Sequence, residues 1–508
     1  MLNSLSFSSH FSGIDWLIVF IYLSISLLIG LKARTYIKSV TDYMGAGRAV
    51  GPWLGIASMA GTEMGLITIM YSAQKGFTGG FASFHIALAA IIVTLFVGFS
   101  GFIVVPLRQL KVLTIPEFYL KRYGRRTQLL GGVLLAVGGI LNMGLFLKVG
   151  AMFMVAITGL DPSGSTITWV MIGLLMLVLL YTMLGGMISV VITDYIQFVL
   201  LSIGLLIVTM LSLRLFGWQS LIVDVQTILG ESGFNPFAST GTFGWSYVLW
   251  MIFTAGLVSC AIWPTAVQRA LIIKTPEDVK TQYKWSAVTF MIRFLIPNFL
   301  GICALVYCWR SDIWNTVFFT DKTMSSLYAF PIFLSELLPV GVLGLVTAAL
   351  VAAFMSTHDS YLLCWSSVIT QDIIGPLRRK ALSVSQTIWV TRLCIVLIGL
   401  YILYWGLWYQ GTEDIWDYLA ITGAVYFTGA FTVLVGGLYW KKASSTGAVM
   451  ALLCGFFALL GLGPIQQMLS LPIVGGDVIG LCTVAVCIVV FVLGSLLFPD
   501  RVLKKETV

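Results

Sequence analysis

The chain has 508 residues, of which 59% are hydrophobic and only 10% charged, and its mean hydropathy is +0.98. That leaves too little polar surface to coat a soluble globule, so the composition predicts an all-α polytopic membrane protein. The net charge of +8 does not mark a nucleic-acid surface, because most of the 29 Lys and Arg fall in alternate connecting segments. That asymmetry predicts an N-terminus outside and a C-terminus inside the cell.

Thirteen apolar runs can be marked, starting near residues 14, 51, 81, 128, 166, 186, 245, 282, 341, 384, 415, 444 and 475. The first reads as a span and not a signal peptide, since no Lys or Arg precedes it and no small-residue cleavage pattern follows. The second, Gly51 to Lys75, holds Gly61, Thr62, Glu63 and Gly65 at membrane depth, the pattern of a broken helix whose freed carbonyls line a cavity. Five spans later, Trp245 to Ile273 carries Gly256, Ser259, Cys260 and Pro264 ahead of Gln268 and Arg269. Two interrupted spans at matching places in two five-span halves point to an inverted-repeat secondary transporter with its sites at the midplane. The two longest loops, about 30 residues each (Phe216 to Gly244 and Arg310 to Pro339), read as external and too short for a separate domain.

The ninth run carries A-A-F-M-S-T-H-D-S, Ala352 to Ser360, inside an otherwise apolar helix of more than the about 20 residues a bilayer needs. Ala353, Ser356 and Thr357 stand at i, i+3 and i+4, so one carbonyl and two hydroxyls converge on one face. Such oxygens suit a hard, weakly held cation such as sodium. The competing reading is that both hydroxyls only bond the carbonyl one turn back. All eight cysteines (260, 303, 308, 364, 394, 454, 482 and 487) lie in apolar runs without a C-x-x-C motif, so neither a disulfide frame nor a zinc site is indicated.

Y-T-M-L-G-G-M-I-S-V-V-I-T-D-Y-I-Q, from Tyr181 to Gln197, resembles the G-G…T-D…Q motif of the sodium:solute symporter family, whose members include sodium/glucose, sodium/proline and sodium/sialic acid transporters. A-A-F-M-S-T resembles that family's sodium-binding helix, G-L-Y-W-K-K-A-S-S-T-G-A (Gly437 to Ala448) its loop after core helix ten, and G-A-G-R-A-V-G-P-W (Gly45 to Trp53) its early segment. The resemblance implies a leucine-transporter-like inverted five-plus-five helix repeat: residues 14–32 a peripheral first helix, 51–215 and 245–440 the two repeats, and 444–499 two further peripheral helices.

By the same resemblance, the shared sodium site falls on Gly61, Met64, Ala353, Ser356 and Thr357. A second sodium site, present in some members, would use Asp194 with Asp359 and Ser360, where those members tend to carry two hydroxyls. The extra carboxylate either strengthens cation binding or shares a proton with Asp194; alternatively Asp194 only pairs with a basic loop. Glu63 is costly at that depth, about 2.5 to 3.5 kcal/mol on insertion scales. It sets the field for sodium, holds a proton, or pairs with Lys148 of the fourth span. Lys148 in turn either holds a substrate carboxylate or snorkels outward. Thr68, Ser259, Trp263 and Tyr426 stand at substrate-facing places by resemblance, each equally explicable as packing, and His85 reads as packing or a gate.

Ser356, His358 and Asp359 do not make a catalytic triad, since neighbours on a helix point apart. H-E-x-x-H, G-x-S-x-G and P-loop motifs are missing too, so an enzyme is not expected. The expected protein is a multi-pass transporter of the bacterial cytoplasmic (inner) membrane, working as a monomer in the bilayer. It would use sodium as its coupling ion to drive a small organic solute into the cell. Lys148 favours a carboxylate-bearing solute such as an amino acid, sialic acid or monocarboxylate. The alternatives are a sodium/sugar symporter or proton coupling through Glu63 or Asp359, and more remotely a sodium-permeable channel or a transporter-like sensor.

Overall fold

A computed structural model describes residues 9–33, 39–161, 164–238, 241–378, 382–408 and 414–500. Among these residues the secondary structure is helical throughout, and the one β-type pairing is an isolated parallel bridge between Val50 and Ile273. Fifteen helices carry the architecture: α1 (Gly13–Ala33), α2 (Pro52–Glu63), α3 (Leu66–Gly79), α4 (Phe84–Ser100), α5 (Arg125–Met143), α6 (Phe146–Thr158), α7 (Gly164–Phe216), α8 (Trp245–Met251, continued by a π-helical stretch Ile252–Ile262), α9 (Pro264–Leu271), α10 (Pro276–Arg310), α11 (Val342–Val368), α12 (Val384–Trp408), α13 (Ile415–Tyr439), α14 (Ser445–Cys454) and α15 (Gly476–Leu497).

Nine stretches among the described residues are long and apolar enough to cross a membrane, and four apolar helices are shorter: Gly13–Ile29, Gly164–Leu180, Ser326–Leu337 and Ser445–Gly461. The thirteen runs of the sequence do not map one to one on these. The run from residue 51 is divided between α2 and α3, because the backbone leaves the helix at Met64 (φ −92°, ψ 54°) and Gly65 (φ −75°, ψ 165°). The runs from 166 and 186 form one long element bent at Gly186, whose φ of +53° and ψ of −158° suit glycine alone. The two segments read as plain loops contain helices of their own, Trp218–Leu229 and Ala329–Leu337.

The second interruption has a simple cause. A residue before proline is pushed into the extended region, and Pro264 offers no N–H to the preceding turn. Trp263 accordingly sits at φ −63°, ψ 126°, ending the π-helical stretch and capping α9. The two broken spans are tied where α2 begins and α9 ends: Val50 N–H donates to the Ile272 carbonyl (3.3 Å), and Lys274 N–H to the Val50 carbonyl (3.0 Å).

Around them α10 packs along α3 and α4, α7 along α2 and α11, and α1 against α7 and α11. Close packing between membrane helices depends on small residues, since lipid supplies no hydrophobic drive between them. At the α3–α10 contact a Cβ on Gly76 would overlap the Asn298 carbonyl, and one on Gly301 would overlap the Ala73 carbonyl. Neither obstacle is a side chain that can turn aside. We therefore expect Gly301→Leu to lower the melting temperature of detergent-purified protein by several degrees or to abolish monodisperse protein, since overpacking costs about 1–3 kcal/mol or more. Gly173→Ala, where no atom lies within 4 Å, should leave the melting temperature unchanged or slightly raised.

Candidate functional site

A helix that stops inside a protein leaves its last carbonyls without intrahelical donors. At the end of α2 three consecutive carbonyls are in that position, and each meets a hydroxyl. Ser356 Oγ donates to Gly61 O (2.8 Å), Thr357 Oγ1 to Thr62 O (3.2 Å) and Thr68 Oγ1 to Glu63 O (3.0 Å). Ser356 and Thr357 also reach Ala353 O one turn back, at 3.0 and 3.1 Å. Thr357 and the break touch so closely that any side chain at position 65 would run into the Thr357 hydroxyl.

The oxygen group at this contact therefore holds the carbonyls of Gly61, Thr62 and Ala353 and the hydroxyls of Ser356 and Thr357, all buried. Two hydroxyl protons face three carbonyls, so acceptors outnumber donors and the group is electron-rich. Of the five residues singled out for sodium, the structure brings together Gly61, Ala353, Ser356 and Thr357. The second carbonyl of the break that meets a hydroxyl is that of Thr62, and Met64 marks the turn itself. His358 is turned away, its Nδ1 at 2.8 Å from Phe354 O and its ring against Phe354.

Beside this contact lies a cavity of ≈ 90 Å³. Glu63, Thr68, Ser259 and Trp263 line it, as the sequence reading has them, together with Tyr71, Phe146, Tyr361, Trp416 and Phe427. Lys148 does not line it. Phe146 does, and a helix turns about 100° per residue, so two positions on the lysine stem faces α12, where its Cβ lies near Gly406. Tyr426 is likewise one residue out of register: Phe427 faces the cavity while Tyr426 packs its Cβ on Gly138 of α5. His85 packs between its own turn, with Nδ1 2.7 Å from Ala82 O, and the rings of Phe243 and Tyr247.

The basic residue on the cavity wall is Arg293 of α10, which the sequence reading passes over. It is stacked near Phe290 and Phe294 and its Nη1 lies 3.0 Å from Glu63 Oε2, while Nη2 donates to Ser259 Oγ at 3.0 Å. The other Glu63 oxygen accepts from Thr265 Oγ1 at 2.7 Å. Glu63 is thus paired, but with Arg293 and not with Lys148. Its two negative oxygens are both satisfied, which is what a buried carboxylate requires.

Asp194 of α7 is also buried and paired. Arg269 of α9 places Nη2 at 3.1 Å from Asp194 Oδ2, 2.7 Å from Thr62 Oγ1 and 2.6 Å from Ser360 Oγ. Ser58 Oγ adds a bond to the same carboxylate oxygen at 2.6 Å, and Ser360 Oγ in turn donates to Asp359 Oδ1 at 3.1 Å. Asp194, Asp359 and Ser360 do come together, but around a guanidinium. The sequence signal that could have found it is Arg269, five residues after the proline that restarts α9: an arginine inside a membrane segment needs an acid, and Asp194 is the buried acid on a neighbouring span.

The sequence model of the sodium:solute symporter family matches residues 43–455. Similar curated relatives include the sodium/sialic acid symporter SiaT of Proteus mirabilis, 26% identical with 89% of each chain covered. They also include a sodium/glucose cotransporter of Vibrio parahaemolyticus, 27% identical over 88% of this chain and 85% of that one. The high-affinity proline transporter PutP of Bacillus subtilis is 24% identical over 84% and 88%. Among solved structures, a substrate-bound, outward-open Na+-coupled sialic acid symporter superposes with a TM-score of 0.79 at 19% identity, covering 96% of this chain and 99% of that one. MhsT in complex with L-phenylalanine does so with 0.55 at 13%, covering 88% and 98%. These likenesses give the fold, that of the leucine-transporter-like carriers, and with the family match across most of the length they place the protein among membrane transporters and not enzymes: the chain belongs to the sodium:solute symporter family.

Proposed function

We propose that the protein couples sodium entry to the uptake of a small carboxylate-bearing solute, with sodium held by Gly61, Thr62, Ala353, Ser356 and Thr357 and the solute in the cavity beside them. The observation that carries this reading is the surplus of acceptors where α11 meets the end of α2. A sodium ion there would draw the three carbonyls away from the hydroxyl hydrogen bonds they now share, the two hydroxyls keeping their protons and turning lone pairs to the ion, and it would join the broken span to α11. Binding to such a contact selects the arrangement in which the two helices touch. The distribution of Lys and Arg supports an N-terminus outside and a C-terminus inside, and an inward sodium gradient with a negative interior would drive the solute inward with the ion.

Arg293 supports the carboxylate. It is the cation that faces the cavity, its guanidinium presents a planar fork suited to a carboxylate, and Glu63 beside it would meet the ammonium of an amino acid. A sugar is the second reading, favoured because Arg293 is already neutralised by Glu63, while Thr68, Ser259 and the aromatic walls suit hydroxyls and ring faces. A thermal-shift panel of amino acids, monocarboxylates, sialic acid and hexoses, run in sodium chloride and in choline chloride, separates the two. Stabilisation by carboxylates in sodium alone is expected, and stabilisation by hexoses alone would replace this reading with the second.

Replacing Ser356 and Thr357 together by Ala should leave expression and folding intact, since alanine suits a helix. The sodium concentration for half-maximal stabilisation should rise at least tenfold, which needs only about 1.4 kcal/mol. An unchanged sodium dependence would put the ion elsewhere.

The Glu63–Arg293 pair gives a second expectation. Glu63→Gln or Arg293→Gln alone strands a buried charge, at a cost of about 3–5 kcal/mol, and should strip most folded protein from a size-exclusion profile. The double variant should recover the fold yet lose stabilisation by carboxylate solutes.

A further inference from the structure

The inner ends of the two broken spans carry a group of basic side chains that neither the cavity nor the oxygen group uses. Arg48 precedes α2, Lys274 follows α9, and Arg108 and Lys111 stand in the segment after α4. Arg48 Nη2 donates to Lys111 O at 2.6 Å, while Arg108 Nε donates to Ile273 O at 2.6 Å and its Nη2 to Lys274 O at 3.0 Å. The four thus gather at the bridge between Val50 and Ile273. We propose that they bind the headgroup of an anionic phospholipid of the cytoplasmic leaflet, which holds the inner ends of the broken spans together. The inference goes beyond the sodium-coupled reading and takes from it only the topology, which puts all four residues on the cytoplasmic side.

Three features argue for it. The first is uncompensated charge. Among the described residues none of the four is in an ion pair, although Asp42, Glu277 and Asp278 lie near them along the chain. Arg269 and Arg293 meet acids within the fold; Arg108, also buried, meets carbonyls. Burial, and then the Arg48 charge beside it, pushes the Arg108 pKa below the ordinary arginine value. Arg48 Nε is buried without a hydrogen-bond partner, and a buried donor to spare calls for an acceptor. The second is access: Lys111 and Lys274 are exposed, so a ligand can reach the arginines from outside the fold.

The third is depth. Trp53, in the first turn of α2, and Trp285 of α10 are 67% and 55% exposed, with ring centroids 6.0 Å apart. Gln282, one turn before Trp285, donates to Gly55 O at 3.0 Å, which ties this pair to the same end of α2. Exposed tryptophans mark the level of lipid headgroups. A phosphodiester at that level meets guanidinium forks and ammonium groups, the donors that suit it. A choline headgroup would bring its own cation to the same place. Seated between Arg48 and Lys274, an anionic headgroup touches the chain on both sides of the bridge and favours the state in which the bridge is closed.

Titration of full-length protein in detergent with phosphatidylglycerol or phosphatidylcholine, followed by native mass spectrometry, thermal unfolding and hydrogen exchange, tests this. Phosphatidylglycerol should raise the melting temperature by several degrees more than phosphatidylcholine and should slow exchange at the Val50 and Lys274 amides, which bond across the joint. Lys111→Gln with Lys274→Gln should bind phosphatidylglycerol about tenfold more weakly. Lys441→Gln with Lys442→Gln, an equal loss of exposed charge, should bind it as the wild type does. If the first double variant does not fold, Lys274→Gln alone takes its place and should still weaken binding. Equal responses to the two lipids, equal weakening in both double variants, unprotected amides, or the whole effect reproduced by inorganic phosphate each overturns the proposal, and none of them bears on sodium coupling.

Discussion

Backbone carbonyls that lose their helix partners inside a membrane have no water to turn to, and the end of α2 presents three of them in a row. Their demand for partners explains much of what surrounds them. Ser356 and Thr357 on α11 and Thr68 on α3 each offer a hydroxyl. Residue 65 is glycine because Thr357 must come that close. The same unmet demand that would be a defect in a structural helix is what makes the place attractive to a cation, so stability and ion affinity draw on one set of atoms.

Around that point the protein handles charge in pairs. Two arginines, Arg269 of α9 and Arg293 of α10, are buried, and each meets an acid of an earlier span, Asp194 of α7 and Glu63 of α2. Breaking either pair strands an ion in a medium that solvates it poorly, whereas keeping both leaves the cavity walls electrically quiet except where a solute or an ion enters. A third pair, Lys75 with Asp414 and Asp417 at 2.7 and 3.3 Å, ties the far end of α3 to the start of α13.

The legible parts of the sequence were those where a signal is local. Ala353, Ser356 and Thr357 announce a common face by spacing alone, and Gly61 to Gly65 announce a break by composition. The span count was less legible because a broken helix and a bent one look alike in hydropathy: one run became α2 and α3, and two became α7. Partnerships across the fold were not legible at all. Lys148 and Glu63 looked like a pair because both were visible charges in apolar runs, yet a shift of two residues round a helix carries Lys148 to another face, and Arg293 takes its place from a span whose sequence shows nothing but an arginine among aromatics. Asp194 and Ser360 are both held by Arg269, and Ser360 leads on to Asp359, but Arg269 lies beyond a proline at the end of a span and carries no sign in the sequence of the acid it meets. No pattern in one dimension says which acid a guanidinium will reach.

The tie between Val50 and the segment after α9 is made of peptide groups only, two hydrogen bonds with no side chain in either. Val50 and Ile272 are buried, so an alanine there reports the lost side-chain packing and leaves both bonds of this joint intact, which among the described residues is where the two broken spans meet backbone to backbone. Proline is the exception, because it removes the donor. The joint is thus hidden from the usual ways of finding important residues: it is written in the main chain, and every amino acid but one spells it equally well.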